Sequence, residues 1–259
     1  MSDLENRLFD LTGATALVTG GGTGLGQQFA RTLANAGANV VLAARRQEKL
    51  QETAAMIADE SGVKTACVSM DVTNAESVQS GLDDAIAALG VPTVVVNNAG
   101  ISREHFALDY PADDFDAVME TNLNGVFRVA QVSAKAMVDA GQGGSIINIA
   151  SILGRRVQPM LSVYSAAKAG VIRLSESLAE EWARHGIRVN TIAPGFFVTD
   201  INREFFETPH SKVLLKGIPM RRPGEIHELS GALLLLASSA GSYMTGSTIT
   251  VDGGHVCGF

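Results

Sequence analysis

The stretch TALVTGGGTGLG, residues 15–26, decides the fold. TALVT reads as a short buried strand, because its residues are apolar or β-branched. The glycines behind it allow a tight turn into a helix predicted near 25–35. Gly20, Gly24 and Gly26 let backbone approach a pyrophosphate closely, and that group then rests on the helix N-terminus. A glycine-rich turn alone also serves tight packing, so its weight depends on the surrounding chain.

The surrounding chain alternates. NVVLAA (39–44) precedes an amphipathic segment near 47–59, and KTACVSM (64–70) precedes a helix near 75–89. TVVVNNAG (93–100) leads to a long helix from about 112 to 139. GSIINIAS (144–151) is followed by a helix carrying YSAAK (164–168). IRVNTIAP (187–194), a helix near 225–238 and STITVDGG (247–254) complete the series. These runs predict seven short strands and a doubly wound α/β Rossmann fold, with a seven-stranded, mostly parallel sheet and helices on both faces. No linker interrupts the rhythm, so residues 1–259 read as a single domain. The rhythm pauses at 196–223, where a polar and aromatic insertion leaves the carboxyl end of a strand. Such an insertion reads as a substrate lid or as a surface loop.

Composition narrows the classes of function. Hydrophobic residues make up 46% of the chain and charged residues 18%, which suits a sizeable core. A formal charge of −7 argues against a nucleic-acid partner or a polybasic membrane patch. The N-terminus has no signal-peptide pattern, and the longest apolar run, GALLLLA (231–237), is too short to span a bilayer. A cytoplasmic protein is expected. Cys67 lies in an apolar run and reads as a buried small hydrophobe. The histidines fall in no metal-ligand spacing, so no metal is expected.

The spacing T-G-x-x-x-G-x-G resembles the fingerprint of the short-chain dehydrogenase/reductase family. NNAG (97–100), Asn122-Leu123, Ser151, YSAAK, PGFFVT (194–199) and VDGG (251–254) fit that resemblance in order. Each piece is common; the ordered set is specific and covers essentially the whole chain. LFDLTG…ALVTG and SILG look like the branch that holds gluconate 5-dehydrogenases and 3-oxoacyl-carrier-protein reductases.

The resemblance implies a hydride-transferring oxidoreductase with Asn122, Ser151, Tyr164 and Lys168 as its catalytic residues. Tyr164 is then the general acid for carbonyl reduction and the general base for alcohol oxidation. Lys168 lies one helical turn on and shares its face. Its charge is expected to favour the ionised phenol, and a shift of about three units takes roughly 4 kcal/mol, with the positive charge of the oxidised nicotinamide contributing. By resemblance Lys168 also holds the nicotinamide ribose, Ser151 steadies the developing alkoxide, and Asn122 holds a water linking Lys168 to solvent. Alone, Ser151 reads as a strand-end cap and Asn122 as a turn residue, with Asn124 a competitor. The small residues around YSAAK permit close helix packing, and the family implies a homotetramer.

The implied cofactor contacts are Gly20, Gly22, Thr23, Gly24, Leu25, Gly26, Arg45, Arg46, Asp71, Val72, Asn98, Ala99, Gly100, Tyr164, Lys168, Pro194, Gly195, Phe197 and Thr199. Asp71 fits an adenine-pocket position or a helix cap. The second strand ends with Ala44 and Arg45, where an NAD-preferring protein places an acid. A guanidinium there clasps a 2′-phosphate, which points to NADP(H); the alternatives are a solvated loop cation and an NAD-dependent sugar-acid or polyol dehydrogenase. Thr23 stands where many NADP-binding relatives carry Arg or Lys. A small carbonyl or alcohol substrate is expected against Ser151, Leu153 and Phe196, with residues 102–106, 153–161 and Phe197, Phe205 and Phe206 nearby. An apolar pocket suits a cyclic or aliphatic ketone. Inward-facing Arg103, Arg155 or Arg156 suits a sugar acid or a thioester's phosphate arm. A non-catalytic dinucleotide-binding protein is the reading from another class.

Overall fold

The first strand, β1 (Thr15–Thr19), is buried along its whole length, and α1 (Gly24–Asn35) leaves its carboxyl end through the glycine turn. The computed structural model describes residues 8–199, 204, 206, 208 and 211–258, apart from the side chain of Lys212. Three further β–α units follow: β2 (Asn39–Ala44) with α2 (Gln47–Ser61), β3 (Thr65–Ser69) with α3 (Ala75–Leu89), and β4 (Val94–Asn97) with a long interrupted helix. That helix comprises α4 (Ala112–Met119), a π-helical turn (Glu120–Asn124) and α5 (Gly125–Asp139). Then come β5 (Gly144–Ile149), α6 (Ser162–Trp182) and β6 (Ile187–Pro194). The chain closes through β7 (Phe197–Val198), α7 (Ser211–Lys216), β8 (Gly224–Glu225), α8 (Ser230–Ala237) and β9 (Thr248–Val251).

The main sheet has seven parallel strands in the order β3-β2-β1-β4-β5-β6-β9. Strand order reverses between β1 and β4, so a crevice opens at their carboxyl ends. Central strands are apolar on both faces because helices cover both. Phe29, Leu33, Leu50, Ile57 and Leu233 of α1, α2 and α8 pack on one face. Leu82, Val129, Met137 and Leu178 of α3, α5 and α6 pack on the other. Each such side chain contributes roughly 1.5–3 kcal/mol on burial. Local signals set the ends: α2 stops at Gly62 in the left-handed conformation, and Asn74 caps α3 by accepting from the Ser77 N–H at 2.8 Å.

Three expectations need correction. The strands at the two edges, β3 and β9, are only partly covered, so Cys67 is half-buried. The long helix is widened at Glu120–Asn124, where Asn122 is drawn towards the end of β4. The helix read at 225–238 begins as a 3₁₀ turn (Ile226–Leu229), whose entry at Glu225 carries a capping box with Glu228. At the insertion read as 196–223, β7 pairs in parallel with β8, which follows directly at Gly224–Glu225, and this clips the two ends together. Phe205 and most of 200–210 lie outside the described residues. No helix among the described residues is long and apolar enough to cross a membrane.

Candidate active site

Thr19, at the end of β1, stitches the crevice together. Its hydroxyl accepts the N–H groups of Asn98 (3.0 Å) and Ala99 (3.1 Å). The Asn98 amide returns to the Thr19 carbonyl at 3.1 Å. Gly20 turns with φ +66, and a Cβ on Gly26 would stand 2.1 Å from the Gly20 carbonyl oxygen, so the turn and α1 touch through backbone. Gly22 lies against Lys49 and Leu50 of α2. Thr53, buried on α2, donates to the Gly22 carbonyl at 3.2 Å. Thr23 precedes α1 in extended backbone without capping its first turn by side chain, and no acid sits in that turn. An uncapped helix start behind a glycine turn fits a dinucleotide's pyrophosphate.

The rim holds the other residues expected there. Arg45 and Arg46 are exposed beyond β2, and Arg45 lies 3.9 Å from Asp71. Asp71 does not cap α3, since Asn74 does. Its carboxylate accepts from the Thr73 hydroxyl (2.7 Å) and N–H (3.0 Å), and these bonds, with the Arg45 charge, hold its pKa low. Val72 is buried against Gly125, and Leu25 packs on the core. Pro194 ends β6, and Gly195 fits only because it lacks a Cβ, which would meet the Asp252 Cβ at 2.7 Å. Thr199 follows β7. The Phe197 side chain is core, wedged against Gly224, so only its backbone can face a cofactor.

Tyr164, Lys168 and Ser151 meet at the carboxyl ends of β4 and β5. Lys168 is buried; its Nζ donates to the Ile149 carbonyl at 2.8 Å and lies 5.6 Å from the Tyr164 ring centre. The Ser151 hydroxyl accepts the Leu153 N–H at 3.1 Å and hydrogen-bonds the phenol. The helix is anchored deep in the sheet: Asn97 donates to Asn148 (2.8 Å), and Asn148 donates to Ser175 of α6 (2.8 Å). Asn122 is fully buried and clamps Ile101, donating to its carbonyl at 2.7 Å and accepting its N–H at 3.0 Å. Its side-chain amide is thus held by protein on both its nitrogen and its oxygen. Asn124 bonds Glu120 in a separate network with Arg128 and takes no part.

In the protein by itself burial pushes the Tyr164 pKa up, and the Ser151 hydrogen bond offsets only part of that. Burial lowers the Lys168 pKa as well, to about 8. A lysine whose folded pKa lies below its unfolded value binds fewer protons when folded, so its contribution to stability rises with pH from about 8 towards about 10.4. Lys168→Met should remove that rise when unfolding free energies of both proteins are compared across the window. Parallel profiles would contradict the assigned burial.

Of the arginines expected near substrate, Arg155 is exposed, and the other two are held by protein groups. Arg103 pairs with Asp114 (3.1 Å), which also takes His105 Nε2 at 2.7 Å, and Arg156 donates to the His255 carbonyl. Leu153 and Phe196 gather with Tyr164 around Ile152 and Leu161. Among the described residues no group of acidic, histidine and cysteine side chains is set to hold a metal.

A family model described as enoyl-(acyl carrier protein) reductase matches residues 20–255. Gluconate 5-dehydrogenase of Gluconobacter oxydans is 37% identical over 248 residues, covering 95% of this chain and 96% of that protein. The chain belongs to the short-chain dehydrogenase/reductase family. Another relative, a 3-oxoacyl-(acyl-carrier-protein) reductase of Chlamydia muridarum, is 37% identical over 94% of the chain and 98% of its own length. A solved short-chain dehydrogenase/reductase, the gluconate 5-dehydrogenase of Burkholderia cenocepacia in complex with NADP and tartrate, superposes with TM-score 0.92 at 38% identity, covering 98% of this chain and 99% of that one. As a short-chain dehydrogenase/reductase the protein is an oxidoreductase. The stitching role of Thr19 and the brace from Thr53 escaped the sequence reading, since no local pattern marks a hydrogen bond between distant elements.

Proposed function

We propose that this protein interconverts a ketone and a secondary alcohol using NADP(H), within a single domain. The observation that carries the reading is the meeting of Tyr164, Ser151 and Lys168 beside the glycine turn. Bound nicotinamide dinucleotide supplies or accepts the hydride. Tyr164 gives its proton to the carbonyl oxygen in reduction and recovers one in oxidation. Ser151 donates to the same oxygen as charge develops there. Burial of Tyr164 favours the protonated phenol, which suits the acid role. Lys168 has one N–H on the Ile149 carbonyl and two left for the ribose hydroxyls. With the Asn122 amide committed to Ile101, a water relay falls to the main chain of the widened turn. The glycine turn, Asn98, Ala99, Gly100, Pro194, Gly195 and Thr199 complete the proposed cofactor contacts.

Arg45 is the proposed selector for NADP(H), a reading supported by relatives solved with NADP. Arg45→Ala should raise the KM for NADPH about tenfold, matching one charge-assisted phosphate contact of roughly 1.5 kcal/mol, and leave NADH use nearly unchanged. Equal effects on both cofactors would remove Arg45 from this role. A second reading, an NAD-linked sugar-acid or polyol dehydrogenase, is favoured by Asp71, which draws on Arg45 at 3.9 Å.

For the substrate, the apolar surface of Leu153 and Phe196 suits an aliphatic or cyclic ketone, with Arg103 held by Asp114 and Arg156 by a main-chain carbonyl. A homotetramer in the cytoplasm is the proposed working form, supported by exposed Phe115, Phe127, Ala166 and Ala169 on helices that contact one another. Loss of near-ultraviolet NADPH absorbance across cyclic, aryl and aliphatic ketones, keto-sugar acids and acetoacetyl thioesters tests the reading. Binding without consumption of either cofactor would sink it.

A further inference from the structure

After β9 the chain folds back on itself. The Asp252 carboxylate accepts the N–H groups of Gly254 (2.8 Å) and Val256 (2.7 Å), making a closed turn. The Arg156 guanidinium straps the tail from the far side by donating to the His255 carbonyl. Met220, on the returning arm of the insertion, donates its N–H to the Gly253 carbonyl at 3.1 Å. Gly253 and Gly254, both at positive φ, lie against Ile218 and Pro219 of that arm.

This folding brings two side chains against the group around Leu153 and Phe196. Val256 joins Ile152, Leu153 and Leu161, the cluster that also takes Tyr164 and Phe196. Val256 keeps part of its surface open, whereas Leu153 is nearly buried. The His255 ring lies against Phe196 with centroids 5.6 Å apart at 40°, so it fixes the face that Phe196 presents. The tail thus touches the aromatic and aliphatic groups beside the phenol while drawing its own shape from Asp252 and Arg156.

We propose that the C-terminal tail is a wall of the substrate cleft, with Val256 a specificity-determining residue and Asp252 and Arg156 positioning residues. The face that Val256 shares with Leu153 and Phe196 is apolar, so the group it accepts is the alkyl or cycloalkyl substituent flanking the carbonyl. This substrate class rests on the ketone-reducing reading above. Trimming Val256 deepens the cleft for a branched substituent, and enlarging it closes the cleft.

The test uses the full chain loaded with NADPH and a series of methyl ketones from small to branched and cyclic. Turnover and the ligand-induced rise in Tm are both recorded. Val256→Ala should raise the kcat/KM ratio of bulky over small ketones about tenfold, and Val256→Phe should lower it comparably, as expected for one or two buried methyl groups. NADPH affinity should not move. Asp252→Ala should raise KM for every ketone more than it lowers kcat, and Asp252→Asn should recover part of the loss. Unchanged selectivity in both Val256 variants overturns the wall and leaves ketone reduction standing. Selectivity that follows Val256 in the Tm shifts of a protein without turnover sustains the wall and overturns the reaction. Absence of binding by any ketone contradicts both.

Discussion

Tyr164→Phe should lower kcat for ketone reduction by about 10²–10⁴-fold, the range expected when a general acid is removed. The phenol sits half-buried between Ser151 and Lys168, and burial keeps its proton in place at neutral pH. Phenylalanine preserves the ring that packs with Val163 and Ala167, so stability and NADPH affinity should hardly change. Paired measurements of turnover and of NADPH binding separate the two effects. Turnover within a few-fold of the parent would transfer the acid role to another group. A matching loss of cofactor affinity would instead make Tyr164 a binding residue.

Gly26→Ala should be the most damaging change in the cofactor turn. The new methyl would stand 2.1 Å from the Gly20 oxygen and 2.6 Å from Asn98 Nδ2, and the first of these is backbone that cannot swing aside. Either α1 or the Gly20 turn must move. Overpacking of this kind costs roughly 1–3 kcal/mol, and a shift approaching 1 Å in a positioning loop costs on the order of 10²-fold in rate. Lower Tm together with a sharp fall in kcat/KM for NADPH is therefore expected. Gly24→Ala is the instructive contrast. A Cβ there meets nothing within 4 Å, so only the left-handed φ of +55 opposes it, at roughly 1–2 kcal/mol. If Gly26→Ala proved no worse than Gly24→Ala, close approach of the turn to α1 would not be what the glycine serves.

The sheet was legible because buried parallel strands must be apolar on both faces, and runs such as TALVT and NVVLAA have no other reading between glycines and helix-period segments. The two-residue strands β7 and β8 were not, since two residues carry no periodicity. The π-helical turn at Asn122 adds one residue to a helix whose apolar pattern continues past it, and only the clamp on Ile101 discloses it. YSAAK announced that Tyr164 and Lys168 share a face, but not how deeply they sit. In the protein by itself that depth raises the phenol's pKa and lowers the lysine's. That the Asp252 turn brings Val256 to the cluster that also takes Tyr164 depends on hydrogen bonds and packing between segments about 90 residues apart, which no local pattern encodes.

The measurement that bears most directly on the reaction is transfer of deuterium. NADPH carrying deuterium at both hydrogens of the hydride-donating carbon is incubated with the enzyme and a ketone that supports consumption, and the alcohol is weighed by mass spectrometry. Gain of one deuterium at the carbinol carbon, lost in Tyr164→Phe, is the expected result. NADPH oxidised without deuterium in the product, or bound without oxidation across the whole panel, would contradict direct hydride transfer between this cofactor and a ketone.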